Sequence, residues 1–140
     1  MASKGQMTGM RGVYLAAAEL TARNLIVSVT SRSARGVDIL ATDQLCKITW
    51  SIQVKTNGKN AAFWLLSEHD KEMTSDTHIY VLVNILPGDR RPEYFVVPSR
   101  IVSERMVSSE AKTGSRWWQI DKRSIVNFKD DWSAFGATTK

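Results

Sequence analysis

The chain has 140 residues, enough for one compact domain, and its 43% apolar content can supply a core, which excludes global disorder. Nineteen Lys and Arg against fourteen Asp and Glu leave a net charge of +5, a balance compatible with a polyanionic partner. A single cysteine, Cys46, excludes an internal disulfide, argues against a cysteine-built zinc site and fits a reducing compartment.

Residues 1–9 are small and polar, without the apolar stretch of a signal peptide, and are expected to form a flexible tail. Met10, Val13, Tyr14, Ala17 and Leu20 then recur at three- and four-residue steps, predicting a helix that ends near Asn24. Leu25 to Thr30 reads as a strand, Ser31 to Gly36 as a basic turn, and Val37 to Ala41 as a second strand. Cys46 to Lys55 alternates: Ile48, Trp50, Ile52 and Val54 face one way, Thr49, Ser51, Gln53 and Lys55 the other. Cys46 is read as a small buried residue. Asn57-Gly58 marks a turn, Phe63 to Leu66 a short strand, and Glu68 to Thr77 a loop or short helix.

Ile79 to Leu86 is β-branched and apolar, as a buried strand is, with Glu93 to Val97 as its hairpin partner across Pro87-Gly88-Asp89. Even this longest apolar run falls far short of the roughly 20 residues of a membrane span, so a soluble, cytoplasmic protein is expected. Ser99 stands where an N-cap would, ahead of Val102, Met106 and Val107 on one helical face. Residues 113–140 carry Trp117, Trp118, Ile120, Ile125, Phe128, Trp132 and Phe135, too much apolar surface to leave in water, and are expected to pack back on the sheet. The whole reads as a single α/β or α+β domain over residues 1–140.

Asp38 sits between Val37 and Ile39 in a short apolar strand, where an unpaired carboxylate is costly to bury. Gln53 and Lys55 share one face at the end of the third strand, and Glu19 lies on the first helix, away from Val13. A carboxylate, an amide oxygen and a backbone carbonyl are hard oxygen donors that suit Mg2+, which keeps several waters and needs few protein ligands. Such a cation activates water and stabilises charge on a phosphate, and a neighbouring lysine can orient that water.

Gly36-Val37-Asp38-Ile39-Leu40 followed by Gln53-Val54-Lys55 resembles the PD-(D/E)XK nuclease superfamily. More closely it is similar to the branch with Gln in place of an acid, as in Mrr-like restriction endonucleases, and archaeal Holliday-junction resolvases share the layout. Gly12 to Leu20, with Glu19 inside, resembles that superfamily's first core helix. The resemblance covers Met10 to Ser99 and leaves the tail unexplained. It implies an αβββαβ core with a central mixed sheet flanked by helices. It makes Asp38 the principal ligand of Mg2+ or Mn2+, Gln53 the second through its side-chain oxygen, Val54 a ligand through its carbonyl, Lys55 the catalytic lysine, and Glu19 an accessory ligand.

The implied activity is metal-dependent hydrolysis of DNA phosphodiester bonds by an activated water. The alternative is a catalytically inactive nucleic-acid-binding module on the same fold, kept open because Gln53 removes one negative charge from the ligand set. A structural protein without a DNA role is the third reading. Ser31, Arg32 and Arg35 precede Asp38 and can clamp DNA phosphates or form a solvated loop. Arg90 and Arg91 read as a hairpin tip, Arg100 and Arg105 as surface charge, and His69 and His78 as structural or surface residues. Gly-rich phosphate loops are absent, so no nucleotide cofactor is expected. Cutting two strands takes two active sites, which makes a homodimer a natural assembly, with the tryptophan-rich surface as its face.

Overall fold

A computed structural model describes residues 1–31 and 36–136. Its first helix, α1 (Lys4–Ala22), starts well before the apolar spacing does. Ser3 Oγ accepts the Gln6 N–H at 3.1 Å and Gln6 Oε1 accepts the Ser3 N–H at 2.8 Å, a reciprocal cap that draws most of the expected polar tail into the helix. The buried stripe is Gly12, Ala16 and Leu20 rather than the larger residues beside them. Met10 and Tyr14, expected in the core, are 38% and 58% exposed. The reason is the closeness of α1 to the sheet: a Cβ on Gly12 would lie 1.8 Å from Thr56 Oγ1. At Gly12 there is no room for a side chain, and the stripe widens only toward Leu20. Asn24 ends the helix in the left-handed conformation (φ 68°).

Nine segments follow: β1 (Ile26–Val29), β2 (Ile39–Thr42), β3 (Thr49–Asn57), β4 (Phe63–Leu66), β5 (His78–Asn84), β6 (Glu93–Pro98), α2 (Ser99–Arg105), β7 (Val107–Glu110) and β8 (Arg116–Asp121). Five strands form a mixed sheet in the order β1-β2-β3-β5-β6, in which only β3 and β5 run parallel. The crossover between those two carries β4 and a 3-10 turn, Glu68–Lys71, where the αβββαβ order has a helix. β3 begins later than its apolar alternation because Asp43 Oδ1 accepts the N–H groups of Lys47 (2.8 Å) and Ile48 (2.9 Å), closing a turn. Cys46 sits in that turn at φ 57° and is exposed, not buried.

The alternation of β5 and β6 feeds two cores. Ile79, Val81, Val83, Tyr94 and Val96 pack under α1 with Ile39, Ile52, Trp132 and Phe135. Tyr80, Leu82, Phe95 and Val97 pack on the other face with Trp64, Val102, Ile120 and Ile125. That second face is covered by a three-stranded sheet, β4-β8-β7, which places strands in the C-terminal region. The tail thus covers both faces, and Trp64 anchors one of them by donating its indole N–H to the Val83 carbonyl at 3.0 Å. α2 is shorter than its spacing implied. Met106 is extended (ψ 144°), and Val107 starts an exposed strand. Ser99 is the first helical residue rather than the cap. Its hydroxyl accepts the Ser75 N–H and donates to the Ser75 carbonyl, pinning the crossover loop. Among the described residues no helix is long and apolar enough to cross a membrane.

The close approach of α1 gives a direct test. Gly12→Ala is expected to cost about 1–3 kcal/mol in chemical denaturation, since the new methyl meets Thr56 in a packed interface. Thr56→Ala, which removes a buried hydroxyl without a partner, is expected to recover part of that loss in the double variant.

Candidate active site

Asp38 stands one residue ahead of β2, where β2 and β3 part. Its N–H donates to the Ile52 carbonyl at 2.8 Å and its carbonyl accepts the Thr30 N–H at 2.9 Å, so its backbone still bridges two strands. β2 and β3 are in register only as far as Ile39 and Ile52. Past that point the β2-facing edge of β3 needs another partner, and Asp38 supplies it. Its Oδ2 accepts the Val54 N–H at 2.8 Å and a Gln53 Nε2–H at 3.1 Å. Asp38 Oδ1 has no hydrogen-bond partner among the described residues. Gly36, at φ 75°, turns the chain into this position, and a Cβ there would lie 2.9 Å from Met73 Cε. Burial pushes the Asp38 carboxyl above its ordinary 3.8, opposed by the Val54 N–H and the Lys55 charge.

Lys55 lies between two carboxylates. Its charge acts on Asp38 from one side, and its Nζ is 3.9 Å from Asp70 Oδ2 on the other. Asp70 is only 4% exposed and is held by the Tyr80 hydroxyl (2.6 Å), the Ser67 N–H (2.8 Å) and the Ser67 hydroxyl (3.1 Å). Burial alone would raise the Asp70 carboxyl. The donors from Tyr80 and Ser67, with Lys55, outweigh it and hold the group below 3.8. Burial, then the Asp70 carboxylate, pushes the Tyr80 hydroxyl far above its ordinary range.

Two clefts meet at this strand edge. The larger, about 460 Å³, is lined by α1, by β1 and by Asp38, Gln53, Val54 and Lys55. The smaller, about 300 Å³, is lined by Gly36, Gln53, Lys55, Ser67, His69 and Asp70. The structure therefore brings Asp38, Gln53, Val54 and Lys55 together and sets Ser31 at the rim. Glu19 is elsewhere. It pairs with Arg91 and with Arg23 (3.5 Å), and Arg91 also reaches Asp130. Glu19, expected to join Asp38, does not line the cleft that Asp38 lines, and its carboxylate is held by Arg91 and Arg23. Arg91 is accordingly more than a hairpin tip. Arg32 and Arg35 lie outside the described residues.

His78 is structural, with Nδ1 2.7 Å from Ser51 Oγ, and Arg100 and Arg105 are bonded to Asp76 and to the Ser124 carbonyl. Asp70 and the cleft position of His69 escaped sequence reading. A polar stretch on a predicted loop gives no sign of which of its acids is buried.

The larger cleft offers donors of the kind Mg2+ takes. Among the described residues no cluster of three or more His, Cys, Asp and Glu forms. Three oxygen donors do fit a hard, mostly hydrated cation. Asp38 Oδ1 is one. The Val54 carbonyl is another, since in an extended strand it leaves on the same side as its N–H, which faces Asp38. The Gln53 amide oxygen is the third, and to serve as a ligand the amide must turn and give up the bond its NH2 donates to Asp38 Oδ2.

The sequence matches no protein-family model and no curated protein. Among solved structures, a bacterial homing endonuclease, I-Ssp6803I, aligns at a TM-score of 0.57 over 94% of this chain and 90% of that one, with 13% identity. Archaeoglobus fulgidus Hjc, a Holliday junction resolvase from an archaeal hyperthermophile, aligns at 0.48 over 79% and 88%, with 14% identity. At such identity the likeness is one of architecture. The chain has the restriction-endonuclease-like α+β fold, a mixed central sheet with two helices.

Two titrations check this electrostatic arrangement. In metal-free protein, NMR is expected to place the Asp38 carboxyl above 3.8, and Lys55→Met to raise it further by removing the favourable charge. Asp70 has the opposite sign. Its lowered value makes its contribution to stability complete above the unfolded value of 3.8, and lost as pH falls through the folded one. Asp70→Asn is expected to flatten the acid limb of stability against pH, measured by denaturation between about pH 5 and pH 2.

Proposed function

We propose that the protein is a DNA endonuclease that uses Mg2+ or Mn2+ to hydrolyse phosphodiester bonds at the parting of β2 and β3. The observation that carries this reading is the convergence of the Asp38 carboxylate, the Gln53 amide, the Val54 backbone and the Lys55 side chain along one cleft. They do so on a fold shared with a homing endonuclease.

In this reading Asp38 Oδ1, the Val54 carbonyl and the Gln53 amide oxygen hold the cation. When bound, the cation polarises the phosphate and makes an attacking water available near neutral pH. The chain's own groups do the rest. Lys55, charged and held at one side by Asp70, faces the phosphate, orients the incoming water and neutralises charge that builds on the phosphate oxygens. Tyr80 and Ser67 keep Asp70 ionised, so Lys55 is steered by a fixed anion rather than by solvent. Asp38 Oδ2 stays engaged with the Val54 N–H, which fixes the orientation of the carboxylate. Because one DNA strand is cut per site, a homodimer acts on both strands. The outer face of β8, with Trp117 exposed beside Leu65 and Val107, is the proposed dimer surface.

One observation favours the rival, a nucleic-acid-binding module without catalysis. Gln53 donates to Asp38 where an acid would add a second negative ligand.

Plasmid nicking separates the two. With Mg2+ or Mn2+ the wild type is expected to nick, and Asp38→Ala and Lys55→Ala each to lose about two orders of magnitude or more in rate. Glu19→Gln is expected to keep full activity, since its partners are Arg91 and Arg23. Binding without cutting in either metal overturns the enzyme reading in favour of the binding module.

A further inference from the structure

The larger cleft extends beyond the groups that reaction uses. Its outer wall is apolar: Met10, Val13 and Tyr14 from α1 face Val29 from β1, with Asp38 and Lys55 also lining the space. Tyr14 is 58% exposed and Met10 38%, on a helix whose buried stripe runs elsewhere. Among the described residues the Tyr14 ring stacks on no other ring and its hydroxyl has no partner. Packing gives no reason for a large aromatic here, because the contact with the sheet is already made by Gly12, Ala16 and Leu20. At the rim, Gln6 accepts the Ser3 N–H through Oε1, and its amide NH2 remains without a partner among the described residues.

A phosphodiester set against Asp38 and Lys55 carries a sugar and a base away from the scissile bond. The space beside it is a half-open cleft of about 460 Å³, within the roughly 300–1,000 Å³ of clefts that take one small molecule. A flat π-surface entering it meets Tyr14, a polarisable thioether at Met10 and a free amide donor at Gln6. These are the parts of a base-stacking platform with one polar edge contact.

We propose that this cleft is a nucleobase pocket, with Tyr14 as the stacking residue, and that the substrate class is DNA with an unpaired nucleotide beside the cut phosphate. This rests on the nuclease reading above and narrows it. A paired base must break its pairing and stacking to lie face to face with Tyr14 in this cleft, whereas a bulged, mismatched or single-stranded base pays little or nothing. Selectivity therefore comes from the state of the DNA rather than its sequence. The wall carries one surface that every base can stack on, and a single amide donor is too little to read a base's identity.

The test uses the full chain and two short duplexes, one fully paired and one with a single bulged 2-aminopurine. With Mg2+ the bulged duplex is expected to be cut about tenfold or more faster next to the bulge. Tyr14→Ala is expected to abolish that preference, largely through KM, and Tyr14→Phe to retain it. Without metal, binding is expected to quench 2-aminopurine fluorescence in wild type and Tyr14→Phe but not in Tyr14→Ala. Equal cutting of both duplexes, or a preference and quench that survive in Tyr14→Ala, overturns the pocket while leaving the nuclease reading intact. Tyr14-dependent quenching without any cutting supports the pocket and overturns catalysis. If neither duplex is cut or bound, both fall.

Discussion

One hydrogen bond sets the geometry of the candidate site: the Asp38 carboxylate on the Val54 N–H. Strands β2 and β3 separate after Ile39 and Ile52, and a buried β3 amide left facing that gap without a partner would cost about 1–3 kcal/mol. A carboxylate oxygen takes the place of the missing strand. The carboxylate lies just before β2 and gains a second donor from Gln53, so its position is set by the sheet. The same bond leaves Oδ1 directed into the opening. Closing the ladder and presenting an oxygen donor are thus one event, and the raised Asp38 carboxyl reflects the burial it requires.

The parallel pairing of β3 with β5 extends that order to the lysine. Gln53 is in register with Tyr80, and Tyr80 reaches Asp70, which lies beside Lys55. A sheet register, a phenol and a buried carboxylate therefore fix the direction of a flexible ammonium. Each step has a physical cause. β5 is buried along its whole length, so its register cannot slip without exposing the core, and Asp70 keeps its charge because three donors meet it. The 3-10 turn that carries Asp70 takes the place of a crossover helix, and the β4-β8-β7 sheet covers the surface beside it.

These causes also decide what was legible in the sequence. β5 and β6 are plain because continuous β-branched runs admit few readings, and Gln53-Val54-Lys55 is legible because the alternation of its strand puts Gln53 and Lys55 on one face. β7 (Val-Ser-Ser-Glu) has no alternation and borrows its pairing from β8, so tertiary context alone makes it a strand. The face of α1 was misread because periodicity favours large residues, whereas the sheet approaches so closely that Gly12 and Ala16 win. The ion pair of Glu19 was hidden for a different reason. Its partner Arg91 is 72 residues away, on a hairpin whose docking no local pattern encodes.

Gln53 is where the site's chemistry and its stability meet. A glutamate there would bring a second carboxylate within hydrogen-bond reach of Asp38, and two like charges in a half-buried cleft repel unless a cation lies between them. The amide instead donates to Asp38 and holds it in place without a cation. The cost falls on affinity, because Asp38 then supplies the only negative charge in the donor set while Asp70 is committed to Lys55, Tyr80 and Ser67. In the proposed nuclease such a site would be ordered before a cation arrives and would bind it weakly. It would then rely on the substrate phosphate to complete the coordination, tying the cation to the moment when DNA enters the cleft.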